Sequence, residues 1–159
     1  MRKISLTPSS AASTAIRRTA RFGTGWQAGP ETPNEVARIV AAIKAKLAEE
    51  GRDIDSDHYG AAFPFHFGRP DEPGVAAAMA AWRKRTGNDP AAYFAVGDAE
   101  TIVSRIADYI AAGAYKFILR PLARDGEAAM AQTRLLVERV LPRVSARWPK
   151  AVPAIHAAE

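Results

Sequence analysis

Four places in the chain carry residue types able to do chemistry. Ser9, Ser10, Ser13 and Thr14 crowd the start of a helical segment. Hydroxyls beside the free N–H groups of a helix N-terminus suit a phosphate. The same residues serve as ordinary helix caps, the reading that chemistry alone favours. Trp26, followed by Gln27, is either a flat wall for a ligand or one more core side chain. His66 stands between Phe65 and Phe67. It can donate a proton near neutral pH, or sit hydrogen-bonded at the margin of a sheet. Arg120 closes a short apolar run just before Pro121. Its guanidinium can hold an anionic group, or pair with a carboxylate such as Asp125.

Other constellations are missing from the sequence. His58, His66 and His156 have no metal-ligand spacing, and there are no cysteines to join them, so no metal site is expected. No Gly-x-Ser-x-Gly elbow occurs. Gly23-Thr24-Gly25 falls short of a dinucleotide fingerprint.

The elements that position these residues are best read in the last third. Residues 98–112 predict a helix capped by Asp98, with Ile102, Val103, Ile106 and Ile110 on one face. Gly113 ends it. Residues 115–119 are β-formers closed by Pro121, and Asp125-Gly126 turns into a helix carrying Thr133, Val137, Val140, Leu141 and Val144 on one face. Helix, buried strand and helix at these lengths make the repeating part of an α/β fold with a parallel sheet.

Earlier in the chain, residues 4–7 and 26–28 are strand candidates, each next to a helix. Thr32-Pro33-Asn34-Glu35 is a capping box with proline at the first helical position. The helix after it shows Val36, Ile39, Val40, Ile43 and Leu47 on one face and ends at Gly51. Residues 59–67 form an aromatic strand in which Pro64 marks an edge, a bulge or an irregular end. Val75, Met79 and Trp82 give an extra helix ending by Gly87, and residues 93–97 lead into the capped helix at Asp98. The tally is four strand-then-helix units, half of an eight-stranded barrel, which in full needs about 250 residues.

With 159 residues, 48% of them hydrophobic, the chain predicts one domain over residues 1–148 and a loosely attached tail over 149–159. No apolar run reaches a membrane span and the first residues make no secretion signal, so a soluble, cytoplasmic protein is expected. The net charge of +5 comes from scattered Arg and Lys without interleaved aromatics. That pattern suits a solvated surface, or attraction to a small anionic ligand, more than nucleic acid.

Residues 15–26, Ala-Ile-Arg-Arg-Thr-Ala-Arg-Phe-Gly-Thr-Gly-Trp, resemble a segment of the bacterial luciferase-like flavin-dependent oxidoreductases and monooxygenases. Gly97-Asp98-Ala99-Glu100, then Ala112-Gly113 and Lys116-Phe117-Ile118-Leu119-Arg120-Pro121, resemble their last helix–strand pair. Residues 135–144 are similar to their closing helix, and Gly51-Arg52-Asp53 to a turn of theirs. The resemblance covers residues 4–147 and matches only the C-terminal half of the family's (β/α)8 barrel. Thr24 stands where the family usually has Asp, and Ser9-Ser10 where many members have paired glycines.

The resemblance implies a partial TIM-barrel fold and an FMN or deazaflavin coenzyme acting on a small organic substrate. It places the coenzyme phosphate near Ser9, Ser10, Ser13 and Thr14. Ligands of a barrel bind at the strand ends, where Trp26 can wall a flavin or substrate pocket and His66 and Arg120 can meet substrate or an anion. It assigns no catalytic residue. Half a barrel leaves open sheet edges, so a homo-oligomer or a complementary N-terminal half is expected. The alternative is a non-catalytic half-barrel binding module or a truncated product without activity.

Overall fold

The computed structural model describes residues 10–149. The strand expected at residues 4–7, Ser9 and the tail from residue 150 lie outside the described residues, as do the side chains of residues 10–12. Six α-helices and four strands follow in the order α1 (Ser10–Phe22), β1 (Trp26–Gln27), α2 (Pro33–Glu49), β2 (Tyr59–Phe67), α3 (Pro73–Thr86), β3 (Ala95–Gly97), α4 (Ala99–Ala111), β4 (Lys116–Pro121), α5 (Gly126–Leu135) and α6 (Leu141–Arg147).

The helix ends follow the local signals. The Glu35 carboxylate accepts from the Thr32 amide at 2.8 Å, closing the start of α2. Gly113 (φ +94°) ends α4, with Ala114 donating to Tyr109 and Gly113 to Ile110. Those two bonds make a Schellman cap, which requires a left-handed residue at that position. Arg52 donates to the carbonyls of Ala20 and Gly23, so the turn after α2 caps the C-terminus of α1.

The sheet is parallel throughout and centred on β2. The Tyr59 and Phe65 carbonyls accept from Tyr115 and Leu122 on the β4 side. The Gly60 carbonyl accepts from Ala28, and the Gly68 amide donates to Gly97. Odd positions of β2 therefore face β4, while even positions face β1 and β3, which share the other edge. β1 pairs only at Tyr59 and Gly60, and β3 only from Phe65 to Phe67. Pro64 falls in the gap between them, where its missing N–H forfeits no ladder bond. That is how a proline occupies the middle of the central strand.

Side chains at odd positions of β2 form the core. Tyr59, Ala61, Phe63 and Phe65 are fully buried. Phe63 stacks on Tyr109 of α4 at 5.3 Å, and Val36, Ile43 and Leu47 of α2 are buried in the same core. Even positions share the opposite face with Lys116, Ile118 and Arg120 of β4. Ile118 is 55% exposed there.

Two expectations change. β3 is a short strand where the sequence predicts only a lead-in to α4. The face expected of the last helix is also broken: Val140 is fully buried, but Val137 and Leu141 are half exposed. A π-helical turn over Leu136–Val140 is the reason. Pro142 has no N–H for the carbonyl four residues back, and its ring crowds that carbonyl, so the preceding turn widens. The extra residue shifts the buried stripe to Leu136, Val140, Val144 and Trp148.

Candidate functional site

The C-terminal ends of β2 and β4 carry a cavity of about 340 Å³ on the even-position face. Pro64 and Arg120, register partners across the two strands, form its floor with Leu122. Trp82 and Arg85 of α3 and the Tyr93-Phe94 pair wall it. Trp82 stacks on Tyr93 at 5.1 Å with the rings nearly parallel, and both meet Phe94 edge-on. The turn carrying Tyr93 is fixed from two sides. Asp89 accepts from the Ala91 amide, and Arg105 of α4 donates to the Ala91 and Ala92 carbonyls.

Tyr93 ties this wall to the sheet. Its hydroxyl donates to the Gly29 carbonyl at 3.2 Å and accepts from Arg120 Nη2 at 2.7 Å. Burial pushes the hydroxyl's pKa up, and the Arg120 cation opposes that. The Trp82 indole N–H is buried without a partner. Asp125, the alternative partner considered for Arg120, caps α5 through the Ala128 amide instead.

His66 stands at the same end of β2. Nδ1 lies 2.9 Å from the Leu122 carbonyl and Nε2 lies 3.0 Å from Glu72. Both ring nitrogens are thus tied to oxygens of the loops that follow β2 and β4. The Arg69 amide and the His66 ring hold the Glu72 carboxyl below its usual value. Gly68 (φ +155°) makes this close approach possible, because a Cβ there would meet Glu72 Oε1 at 2.3 Å.

The remaining sequence candidates lie elsewhere. Trp26 pairs with Tyr59, the first residue of β2. It lies about 23 Å along the strand from His66, at the opposite end from the one where strand-end ligands were expected. It lines a second cavity of about 440 Å³ with Thr24, Gln27, His58 and Lys116. Ser13 and Thr14, in the first turns of α1, line neither cavity, and Arg17 donates to Thr14 at 3.4 Å. The structure thus places His66 and Arg120 at the same end of the sheet, with only Arg120 lining the cavity, and separates both from Trp26. The sequence reading missed Trp82, Arg85, Tyr93 and Phe94. Trp82 and Arg85 sit three apart on α3, but their meeting with Tyr93 depends on tertiary packing. It also left uncollected Asp55, Asp57 and His58, exposed residues whose ligand atoms lie within 4.8 Å of one another.

No protein-family model matches the chain, and no curated protein matches it. Solved structures do. An F420-dependent secondary alcohol dehydrogenase, in complex with an F420-acetone adduct, aligns with TM-score 0.58 and 13% identity over 80% of this chain and 45% of its own. The coenzyme F420-dependent tetrahydromethanopterin reductase from Methanopyrus kandleri aligns with TM-score 0.52 and 18% identity over 80% of this chain and 47% of its own. The fold is a partial barrel of their type. This chain spans about half the length of either. At these identities the likeness speaks for the fold alone. No described helix is long and apolar enough to cross a membrane.

Proposed function

We propose that the chain is the C-terminal part of a luciferase-like, deazaflavin-dependent oxidoreductase acting on a small organic substrate. One observation carries the reading: an aromatic-walled cavity with a cationic floor opens at the C-terminal ends of the parallel strands, where barrels of this type receive ligands. The similar folds named above supply the choice of deazaflavin over FMN. When bound, such a coenzyme supplies hydride chemistry, and the protein positions it.

The chain's own residues bind, orient and exclude water. Trp82, Tyr93 and Phe94 offer a dry wall, and Arg120 offers a fixed cation. Ser9, outside the described residues, and Ser10, Ser13 and Thr14 at the start of α1 remain the phosphate candidates on the resemblance, with Trp26 a wall only for a ligand reaching the strand starts. His66, engaged on both nitrogens, orders the loop after β2 in this reading. Full activity requires the rest of a barrel, from a second copy or from a complementary half.

Fluorescence titration with coenzyme F420, and in parallel with FMN, tests the reading. Saturable binding of F420, weakened by Ser13→Ala, is expected. No binding of either by a folded sample overturns it. The span of about half a neighbour's length favours a second reading, a binding module without activity; that reading predicts no substrate oxidation even with coenzyme bound and a complementary barrel half supplied.

A further inference from the structure

We infer that the cavity over Pro64 binds an organic anion with a flat apolar body, held by Arg120 and Arg85 and stacked among Trp82, Phe94 and Leu122. The inference rests on the oxidoreductase reading only for the strand end at which ligands are received, and it names what that end selects.

Charge comes first. Among the described residues, the Arg85 side chain has no hydrogen bond or ion pair, and the Arg120 side chain has one bond, to a neutral hydroxyl. Two guanidinium-bearing residues therefore line one cavity with no carboxylate to neutralise them. Both cations act on the Tyr93 hydroxyl, opposed by the Glu31 carboxylate, which lies outside the cavity lining. A guanidinium carries five N–H donors. The single bond to Tyr93 leaves most of those of Arg120 for a carboxylate or phosphate, groups its fork matches in pairs.

The rest of the cavity is apolar and aromatic, with the stacked Trp82–Tyr93 pair as one wall. Its volume of about 340 Å³ lies at the small end of the range for organic-ligand sites. It suits a one- or two-ring body rather than a polymer or a bare ion. Tyr93 is a positioning residue. Anchored on Gly29, it holds Arg120 in place without needing to touch the ligand.

The test is isothermal titration calorimetry of the whole chain, without coenzyme, using naphthoate, naphthyl phosphate and uncharged naphthalene-methanol. At least one anion is expected to bind one per chain, and the alcohol at least about tenfold more weakly. Arg120→Met should weaken the anion about tenfold or more and leave the alcohol unchanged. Arg85→Met, at an exposed residue on the cavity side of α3, should act in the same direction. Tyr93→Phe should weaken the anion by a smaller factor, about threefold. Equal affinity for alcohol and anions, or anion affinity unchanged in both arginine variants, overturns the inference. Adding coenzyme F420 separates two sources of the anion: competition assigns the cavity to the coenzyme's own acidic groups, and independent binding assigns it to a substrate. Failure here with F420 binding intact sinks this inference alone; the converse sinks only the oxidoreductase reading.

Discussion

Single residues set how closely backbone segments approach. A Cβ on Gly25 would lie 2.6 Å from the His58 carbonyl oxygen, a backbone atom that cannot step aside cheaply. One on Gly60 would meet the end of the Gln27 side chain, which can swing away. Gly25→Ala should therefore cost about 1–3 kcal/mol in urea denaturation, and Gly60→Ala clearly less. Equal losses would refute this account. Glu72 gives a second prediction. Its carboxyl is held below the ordinary 4.5, chiefly by the Arg69 amide and next by His66, with desolvation and then Asp71 opposing. A depressed carboxylate adds stability above its unfolded value and loses it as pH falls through its folded value. The urea midpoint of Glu72→Gln should fall less steeply in acid than that of the parent chain; parallel curves would remove the effect. His66 and Arg120 were legible as chemistry-bearing residues because each closes a strand. Their partners were not: Glu72, Leu122 and Tyr93 reach them only through the folded loops.

At the scale of elements, what could be read was what is local. Thr32 to Glu35, Asp98 and Gly113 mark helix ends because caps are made by residues a turn apart. The buried stripes of α2 and α4 follow helical spacing for the same reason. The stripe of the last helix failed because periodicity assumes one pitch throughout, and Pro142 changes the pitch upstream of itself. That shift is testable. Val140→Ala should cost about 2 kcal/mol, while Val137→Ala should stay within about 0.5 kcal/mol. Similar costs at both positions would mean that the uninterrupted helix is the right description. β3 escaped notice for a different reason: three residues are too few to show alternation, and the strand exists because β2 offers it a partner.

For the whole molecule, the deciding features are an unfinished sheet and a net charge of +5. β4 has no partner on its far side among the described residues, and Lys116, Ile118 and Arg120 sit on the barely covered face. Sedimentation at micromolar concentration is expected to find a dimer or larger assembly, and a monodisperse monomer would exclude it. The parallel α/β class was legible from the alternation of strand and helix. The sharing of one edge of β2 by two short strands was not, since register depends on long-range pairing.

That shared edge bears on the chain's behaviour in crowded solution. An interrupted edge next to an aromatic core segment invites strand invasion, the first step toward fibrillar accretion. At the interruption stands Pro64, buried in the fold, which offers no donor to a strand that local opening would admit. Pro64→Ala would supply one. We expect that variant to seed thioflavin-positive aggregates sooner than the parent under mild destabilisation, with its native spectrum unchanged; equal lag times would show that the gap is guarded by something other than the proline.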